Sequence, residues 1–369
     1  MKIGIYARGL SEKTGGSKEY IKLVCQNIGQ VLPHGDTVWV IHNSRERLFD
    51  PDTRVKEVRL PGGNKLWCDF VLAPQLINRL GIEAVWFPKN VIPFGLKPSI
   101  RKIVSVLDLA HFYSELRAYD LKSTWYMKYM IKSSCQRADQ IIAISRNTKK
   151  DLIEILRIPE KKIEVIPLAA SSNYRCDITA AEVASVKKKY GLPSRYILFT
   201  GGISPRKNLV RLIKAFNLLR LPDNKPVHLV LTGGKGWRNE QILRIINSTS
   251  KVKRLGYVPD KDMPALYRMA TVFAYPSLYE GFGMPILEAQ ASGVPVLSSR
   301  SSCLPEVGGD SVHYVDMYNI SDIARGLSQL LVDQIERERL IKLGYKNIQR
   351  YSWQETARNI LIILKDKNA

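Results

Sequence analysis

The fold is decided by Val272-Phe-Ala-Tyr-Pro-Ser-Leu-Tyr-Glu-Gly-Phe-Gly-Met-Pro-Ile-Leu-Glu-Ala-Gln-Ala-Ser-Gly-Val-Pro-Val-Leu297. Val272–Tyr275 is a short apolar run, as expected of a buried parallel strand. Pro276 breaks it, and Gly281 and Gly283 allow a tight loop of bare backbone. Pro285 fits a first helical turn; Ile286, Leu287, Ala289, Gln290 and Ala291 carry a helix as far as Gly293. Val294–Leu297 reads as the next strand. The unit is strand, glycine-rich loop, helix, strand. Its loop and helix N-terminus lie at the carboxyl edge of a sheet, where open α/β sheets bind ligands.

Two carboxylates flank this turn, Glu280 on the loop and Glu288 in the helix. Free amides at the helix start favour a polyoxygenated, partly anionic ligand. A carboxylate on each side can grip hydroxyls on either side of that ligand's phosphates. The plainer reading makes Glu288 a complement to the helix dipole and Glu280 a solvated loop acid. Gly281-Phe282-Gly283-Met284-Pro285 favours the first reading, because it explains why backbone must come close to a ligand.

Glu280-Gly-Phe-Gly-Met-Pro-Ile-Leu-Glu288, followed by Ala289-x-Ala291-x-Gly293-x-Pro295-Val296, resembles the donor-site signature of family 4 glycosyltransferases (glycosyltransferase group 1). The resemblance implies the GT-B fold: two Rossmann-like, doubly wound domains facing a cleft, with a last helix crossing back to the N-terminal domain.

Length and composition agree with that outline. A chain of 369 residues can bury two cores, and 45% hydrophobic with 24% charged residues describes a folded globular chain. No apolar run reaches the length of a membrane span, and Met1-Lys2-Ile3 leads straight into a strand, so a cytoplasmic protein is expected. Five scattered cysteines without a C-x-x-C pair argue against a disulfide or metal framework. The net charge is +22, spread as 27 basic against 17 acidic residues in 1–172 and 29 against 17 in 173–369. Such an excess fits nucleic acid, an anionic membrane surface or a multiply negative substrate. No nucleic-acid-binding motif is evident, so no specific nucleic acid is expected.

Lys2–Ala7 reads as the first strand, and Gly15-Gly16 closes the loop after it, with Ser17 as the cap of a helix facing inward through Tyr20, Ile21, Val24, Cys25 and Ile28. Gly15 and Gly16 suit either a phosphate or a bare turn, and the resemblance places them at the cleft. Further strands at 37–41, 84–87, 103–107, 141–144 and 163–166 imply a mostly parallel sheet covered on both faces. Asp50-Pro-Asp52 and Asp260-Lys-Asp262 match the D-x-D of metal-dependent sugar transferases. Both read better as surface turns, and no metal is expected. Asp108 follows the 103–107 strand. The family carries a sugar-contacting histidine just before it, where this chain has Leu107; Asp108 then either aligns an acceptor hydroxyl or caps the next turn. His111, four residues beyond Leu107, reads better as a surface or core-edge residue than as a substitute. Residues 119–137 read as a helix in which Lys122, Lys128, Lys132 and Arg137 alternate with Trp125, Tyr129 and Met130. That mixture suits a membrane interface, and equally an ordinary packed helix with a basic edge.

Small polar residues at 169–173 mark the boundary, and the strand–helix alternation restarts at Tyr196. Domains are therefore expected at 1–170 and 171–350, with a crossover helix at 351–369. Thr200-Gly-Gly-Ile-Ser-Pro-Arg-Lys-Asn208 follows a strand and precedes a helix. Gly201 and Gly202 let backbone approach, and Arg206 and Lys207 put two cations where the helix dipole opposes them. A diphosphate between them offsets that cost through charge-assisted hydrogen bonds. The resemblance assigns Lys207 to the diphosphate. It also puts an arginine where Gly202 stands, a charge that Arg206 takes over in a Pro-Arg-Lys-Asn form resembling a mannosyltransferase-like branch. Thr232-Gly-Gly-Lys-Gly-Trp237 is either a pocket wall or a simple turn, and Tyr257 falls in a segment that resembles the family's nucleobase contact.

Taken with the resemblance, these residues imply a retaining, metal-independent hexosyltransferase that needs no cofactor. Its donor is a nucleotide-diphosphate sugar, GDP- or UDP-linked, and its acceptor a glycan or a lipid-linked intermediate of surface polysaccharide, with peripheral contact to an anionic membrane. Lys207, Arg206, Glu280 and Asp108 carry the chemistry. Gly15, Gly16, Gly201, Gly202, Tyr257, Gly281, Phe282, Gly283, Met284 and Glu288 join the first three in holding the donor. The alternatives are a non-catalytic sugar-nucleotide-binding protein and a GT-B epimerase.

Overall fold

The computed structural model describes residues 1–11, 15–44, 54–61, 65–116, 119–175, 177–234, 236 and 239–366. Asp50-Pro-Asp52, Cys176, Lys235 and Trp237 lie outside the described residues. The chain forms two compact units: Met1–Phe112 with Leu121–Leu168 and Ser352–Ala369, and Tyr113–Asp120 with Ala169–Tyr351.

Among the described residues the first unit holds seven strands: β1 (Lys2–Tyr6), β2 (Thr37–His42), β3 (Val55–Arg59), β4 (Ala84–Phe87), β5 (Arg101–Val106), β6 (Gln140–Ala143) and β7 (Ile163–Val165). They pair in parallel in the order β3-β2-β1-β4-β5-β6-β7. The second unit holds β8 (Tyr196–Thr200), β9 (His228–Thr232), β10 (Val252–Gly256), β11 (Val272–Tyr275), β12 (Val296–Ser299) and β13 (Val312–Val315). Their order is β10-β9-β8-β11-β12-β13, again all parallel. Each sheet is thus doubly wound, with its strand order reversing between β1 and β4 and between β8 and β11. Ligands of such sheets bind beyond the carboxyl ends at that reversal.

Strands covered by helices on both faces read as continuous apolar runs. β4, β8 and β11 are buried at every position. β3 is the exception, since Val-Lys-Glu-Val-Arg at the sheet edge buries only Val55 fully. Sequence reading passes over it for that reason.

The Gly16–Val31 helix buries Tyr20, Ile21, Val24, Cys25 and Ile28 as its spacing requires. Its cap is Gly15, at φ 134°, and not Ser17, which lies inside the first turn. The last helix, Trp353–Lys365, starts at the Ser352 hydroxyl, which accepts from the Glu355 amide. It packs on the Gly16–Val31 helix: Trp353 lies 6.2 Å from Tyr20, and Lys365 Nζ reaches Asp36 at 2.7 Å. Cys25, Cys68, Cys135 and Cys303 are buried and unbonded. Among the described residues no helix is long and apolar enough to cross a membrane.

Candidate active site

At the reversal of the second sheet, two turns are stitched together by backbone. β8 ends at Thr200, and Gly201 leaves it at φ 138°, a conformation other residues rarely adopt. The Gly201 amide donates to the Thr232 carbonyl at 2.9 Å, and Ile203 exchanges backbone bonds with Gly234 and Gly236. A Cβ on Gly233 would stand 2.1 Å from the Gly201 oxygen and one on Gly236 2.5 Å from the Ile203 oxygen, so these two glycines are there for backbone-on-backbone contact. Pro205–Lys207 then form a single 3-10 turn, and Asn208, at φ 59°, starts the Leu209–Asn217 helix. The Asn208 amide group donates to the carbonyls of Pro276 and Met317, and the Leu278 amide donates to the Arg206 carbonyl at 2.9 Å. The loop after β8 is thereby fixed to the loop after β11.

That stitching brings Arg206, Lys207 and Glu280 together. Lys207 Nζ donates to Glu280 Oε1 at 2.6 Å, and an Arg206 guanidinium nitrogen donates to Oε2 at 2.6 Å and to the Tyr279 carbonyl at 2.6 Å. The lysine also donates to the Tyr275 hydroxyl and lies 4.6 Å from that ring's centre. Lys207 and Glu280 are 8% and 6% exposed, which overturns the reading of Glu280 as a solvated loop acid. Burial pushes the Glu280 carboxyl up, but the charges of Arg206 and Lys207 outweigh it and hold it at about 2. Burial, and then the charge of Glu280, raises the Tyr275 phenol well above its usual value, so it stays neutral. The two cations stand on the 3-10 turn, one residue before the helix proper. Their first counterion is a carboxylate of the protein itself, and not only a ligand as the helix-dipole argument supposed. Two cations share this one carboxylate.

Glu288 lies in the second turn of the Met284–Ala291 helix. Its Oε2 accepts from the Tyr267 hydroxyl at 2.9 Å, and that hydroxyl lies 2.9 Å from the Thr200 hydroxyl at the end of β8. Glu288 is thereby tied to the end of β8, and Glu280 to the loop that follows it through Arg206 and Lys207. Between them Gly281, Phe282 and Gly283 are buried, and Met284 is half-buried. Gly283 caps the helix at φ 98°, where a Cβ would meet Leu304 at 2.8 Å. Ser302 Oγ accepts from the Glu280 amide, and the Cys303 thiol donates to the carbonyls of Glu280 and Phe282. Tyr275, Tyr267, Ser302 and Cys303 escape sequence reading. A polar residue closing an otherwise apolar strand, as Tyr275 does, is the one signal that points to any of them.

Gly202 is exposed, and a Cβ there would meet nothing within 4 Å. Tyr257 is 54% exposed beyond β10, two strands from β8. Gly15, Gly16 and Asp108 belong to the other unit. Gly15 and Gly16 follow β1, and Asp108 follows β5, where its Oδ1 accepts from the Ala110 amide at 3.1 Å as a turn cap. A cavity of about 600 Å³ lined by Glu83, Lys97, Arg101 and Asp139 lies at the amino ends of β4 and β5, the opposite edge of that sheet. Asp262 of the second D-x-D is buried and not part of a surface turn, because it accepts from Lys189 and Tyr190. Among the described residues no three His, Cys, Asp or Glu side chains gather as a metal set.

Residues 14–171 match glycosyltransferase family 4, and residues 183–347 match glycosyl transferases group 1. The chain belongs to the group 1 glycosyltransferases. Its similarity to the O-antigen chain mannosyltransferase B of Escherichia coli is 35% identity over 233 residues, 62% of this chain and 61% of that one. The serotype-specific mannosyltransferase WbdA of Escherichia coli is 34% identical over 236 residues, 62% of this chain and 29% of that one. This glycosyltransferase-family chain therefore matches less than two thirds of the length of either relative. In fold it is similar to Anabaena HepE, crystallised with UDP-glucose, at a TM-score of 0.75 and 15% identity over 99% of each chain. That likeness is to a GT-B structure.

Proposed function

We propose that this protein transfers a hexose, mannose first among the candidates, from a nucleotide-diphosphate sugar to a glycan or lipid-linked acceptor of surface polysaccharide. The observation that carries the reading is the Arg206–Lys207–Glu280 cluster at the sheet reversal, where two cations meet beside glycine backbone. The names of the Escherichia coli relatives support mannose and O-antigen, and the UDP-glucose held by HepE supports a nucleotide-diphosphate donor. Lys207 and Arg206 would neutralise the charge that grows on the β-phosphate as the glycosidic bond breaks, the part a metal ion plays elsewhere. Gly201, Gly202 and the 281–283 amides would approach the phosphates and sugar. Glu288 would take the ribose, and Tyr257 would lie at the base. Gly15, Gly16 and Asp108, in the first unit, would keep the phosphate and acceptor roles that the resemblance implies for them.

Glu280 is a poor base and a poor nucleophile while two cations hold its carboxyl near 2. Its proposed work is to hold sugar hydroxyls and position Lys207. Such an arrangement supports front-face displacement with retention, in which the departing diphosphate takes the acceptor's proton.

A thermal-shift screen against GDP-mannose, UDP-glucose and the free nucleotides tests donor binding. A donor at a hundred times its Kd adds about 2.7 kcal/mol. Release of nucleoside diphosphate only when acceptor is supplied then separates transfer from epimerisation and from mere binding. Activity that survives EDTA supports the metal-free reading, and a strict manganese requirement would overturn it.

A further inference from the structure

Asp69 meets the end of the first sheet from a helical stretch that is locally widened. Lys65–Trp67 is a helical turn, Cys68–Leu72 a π-helical turn, and Ala73–Leu80 continues as α-helix. The Ala73 amide donates to the Cys68 carbonyl, five residues back instead of four. Phe70 stacks on Phe94 at 6.0 Å, and the Cys68 thiol donates to the Pro61 carbonyl at 3.4 Å, which holds the turn in place. Such turns are rare inside helices and frequent at functional sites. This one sets Asp69 beside the end of β1, at the strand reversal where doubly wound sheets bind ligands. The buried Tyr6 hydroxyl donates to Asp69 Oδ1, and the Arg8 guanidinium pairs with the same oxygen. Among the described residues Oδ2 accepts no hydrogen bond, although the side chain is only 18% exposed. Tyr126 stands near, 44% exposed; burial and then the charge of Asp69 raise its phenol, so the hydroxyl keeps its proton. That hydroxyl too makes no hydrogen bond among the described residues.

We propose that Asp69, braced by Tyr6 and Arg8 and helped by Tyr126, binds the terminal sugar of the acceptor glycan. A carboxylate oxygen held in place and left open accepts a sugar hydroxyl strongly, whereas it repels a phosphate. Arg8 offers an anion little, because its charge is already met by Asp69. The Tyr126 hydroxyl donates to a second sugar oxygen, and its ring gives the apolar face of a pyranose something to lie on. The ligand class is therefore a neutral hexose with adjacent free hydroxyls. The proposal rests on the hexosyltransferase reading above and adds to it the side chains that select the acceptor.

The probe is α-linked mannobiose, followed by saturation-transfer NMR with and without GDP, and by transfer kinetics with GDP-mannose. The wild type should bind it. Asp69→Asn keeps the shape, removes the charge, and should raise the acceptor KM about twentyfold while the donor-induced thermal shift stays as it was. Tyr126→Phe leaves Tyr6, Arg8 and Asp69 untouched and should raise that KM about fivefold. In both variants kcat should move less than KM. A fall in kcat alone would make the cluster structural and overturn the proposal. So would a KM and a mannobiose signal indifferent to both variants, no mannobiose signal from the wild type, or displacement of mannobiose by inorganic phosphate. The two readings fail separately. Asp69-dependent mannobiose binding without turnover of any nucleotide sugar would sink the donor reading and leave this one standing; turnover with a KM that ignores both variants would do the reverse.

Discussion

The two sheets share one winding and end in related but unequal clusters. In the first unit Tyr6 closes β1, and its hydroxyl donates to Asp69, which also pairs with Arg8. In the second Tyr275 closes β11, and its hydroxyl accepts from Lys207, which pairs with Glu280 beside Arg206. The first cluster is one cation to one carboxylate, with Arg8 and Asp69 side chains 17% and 18% exposed. The second is two cations to one carboxylate, and Glu280 is 8% exposed by the same measure. Arg8 and Arg206 are similarly exposed, so the two clusters differ in their carboxylates: Glu280 is the drier acid and is shared by two cations. The same winding thus ends in clusters of different make-up.

Truncating the two carboxylates should show that inequality most strongly. Glu280→Ala leaves the buried Lys207 and the half-buried Arg206 without their shared carboxylate and should cost about 3–5 kcal/mol in urea unfolding. Asp69→Ala exposes Arg8 to water and should cost about 1 kcal/mol. Equal costs would mean that the two clusters are energetically alike and that burial does not distinguish them.

Acid should act on the second cluster next. The Glu280 carboxyl titrates at about 2 in the folded protein, against an ordinary value of 4.5. The unfolded chain therefore binds the extra proton first, and stability rises with pH across that window. The contribution is complete above 4.5 and is lost as pH falls toward 2, about 3 kcal/mol in all. Glu280→Gln should remove that part of the pH slope between 4.5 and 2. A variant with the wild-type slope would show that Glu280 is not the group responsible.

Glycine substitutions sharpen the contrast at backbone level. Gly233→Ala drives a methyl to within 2.1 Å of the Gly201 oxygen at φ 131°, and should cost about 2–3 kcal/mol with loss of donor binding. Gly15→Ala in the first unit meets nothing nearer than Ser17 Oγ at 4.0 Å, so only the strain of φ 134° remains, about 1 kcal/mol. Thermal melts of the pair decide this, and a larger loss for Gly15→Ala would contradict it.

The second unit was also the more legible in sequence, for a physical reason. β8, β11 and β12 are buried at every position and read as short, largely apolar runs, whereas β10 (Val-Lys-Arg-Leu-Gly) is half-buried throughout; the loops need glycine where backbone meets backbone. Glu280, Arg206 and Lys207 stand out because charge next to such glycines is unusual. What stayed hidden depends on the third dimension. Nothing in the order of residues says that Glu280 folds back between Arg206 and Lys207, or that Tyr267 links Glu288 to Thr200. β3 was lost because an edge strand need not be apolar. The direction of the Leu121–Arg137 helix was ambiguous because its buried face is as polar, through Ser134 and Cys135, as its exposed face is aromatic.

The smallest effect expected is the most informative about the cations beside β8. Gly202 takes an ordinary backbone conformation, and a side chain there would enter open space, so Gly202→Arg should change stability by less than about 0.5 kcal/mol. The family resemblance places an arginine at this position, whereas here Arg206 is engaged with Glu280 and the Tyr279 carbonyl. If the positive charge beside β8 recruits a diphosphate, a guanidinium at 202 should tighten donor binding by about 1 kcal/mol at low salt, and the gain should shrink as salt rises. Isothermal titration with the donor found by thermal shift measures it. Weaker binding would mean that the space beyond Gly202 is occupied by the donor itself. The glycine would then be required for room, and Arg206 and Lys207 would already supply all the charge the site can use.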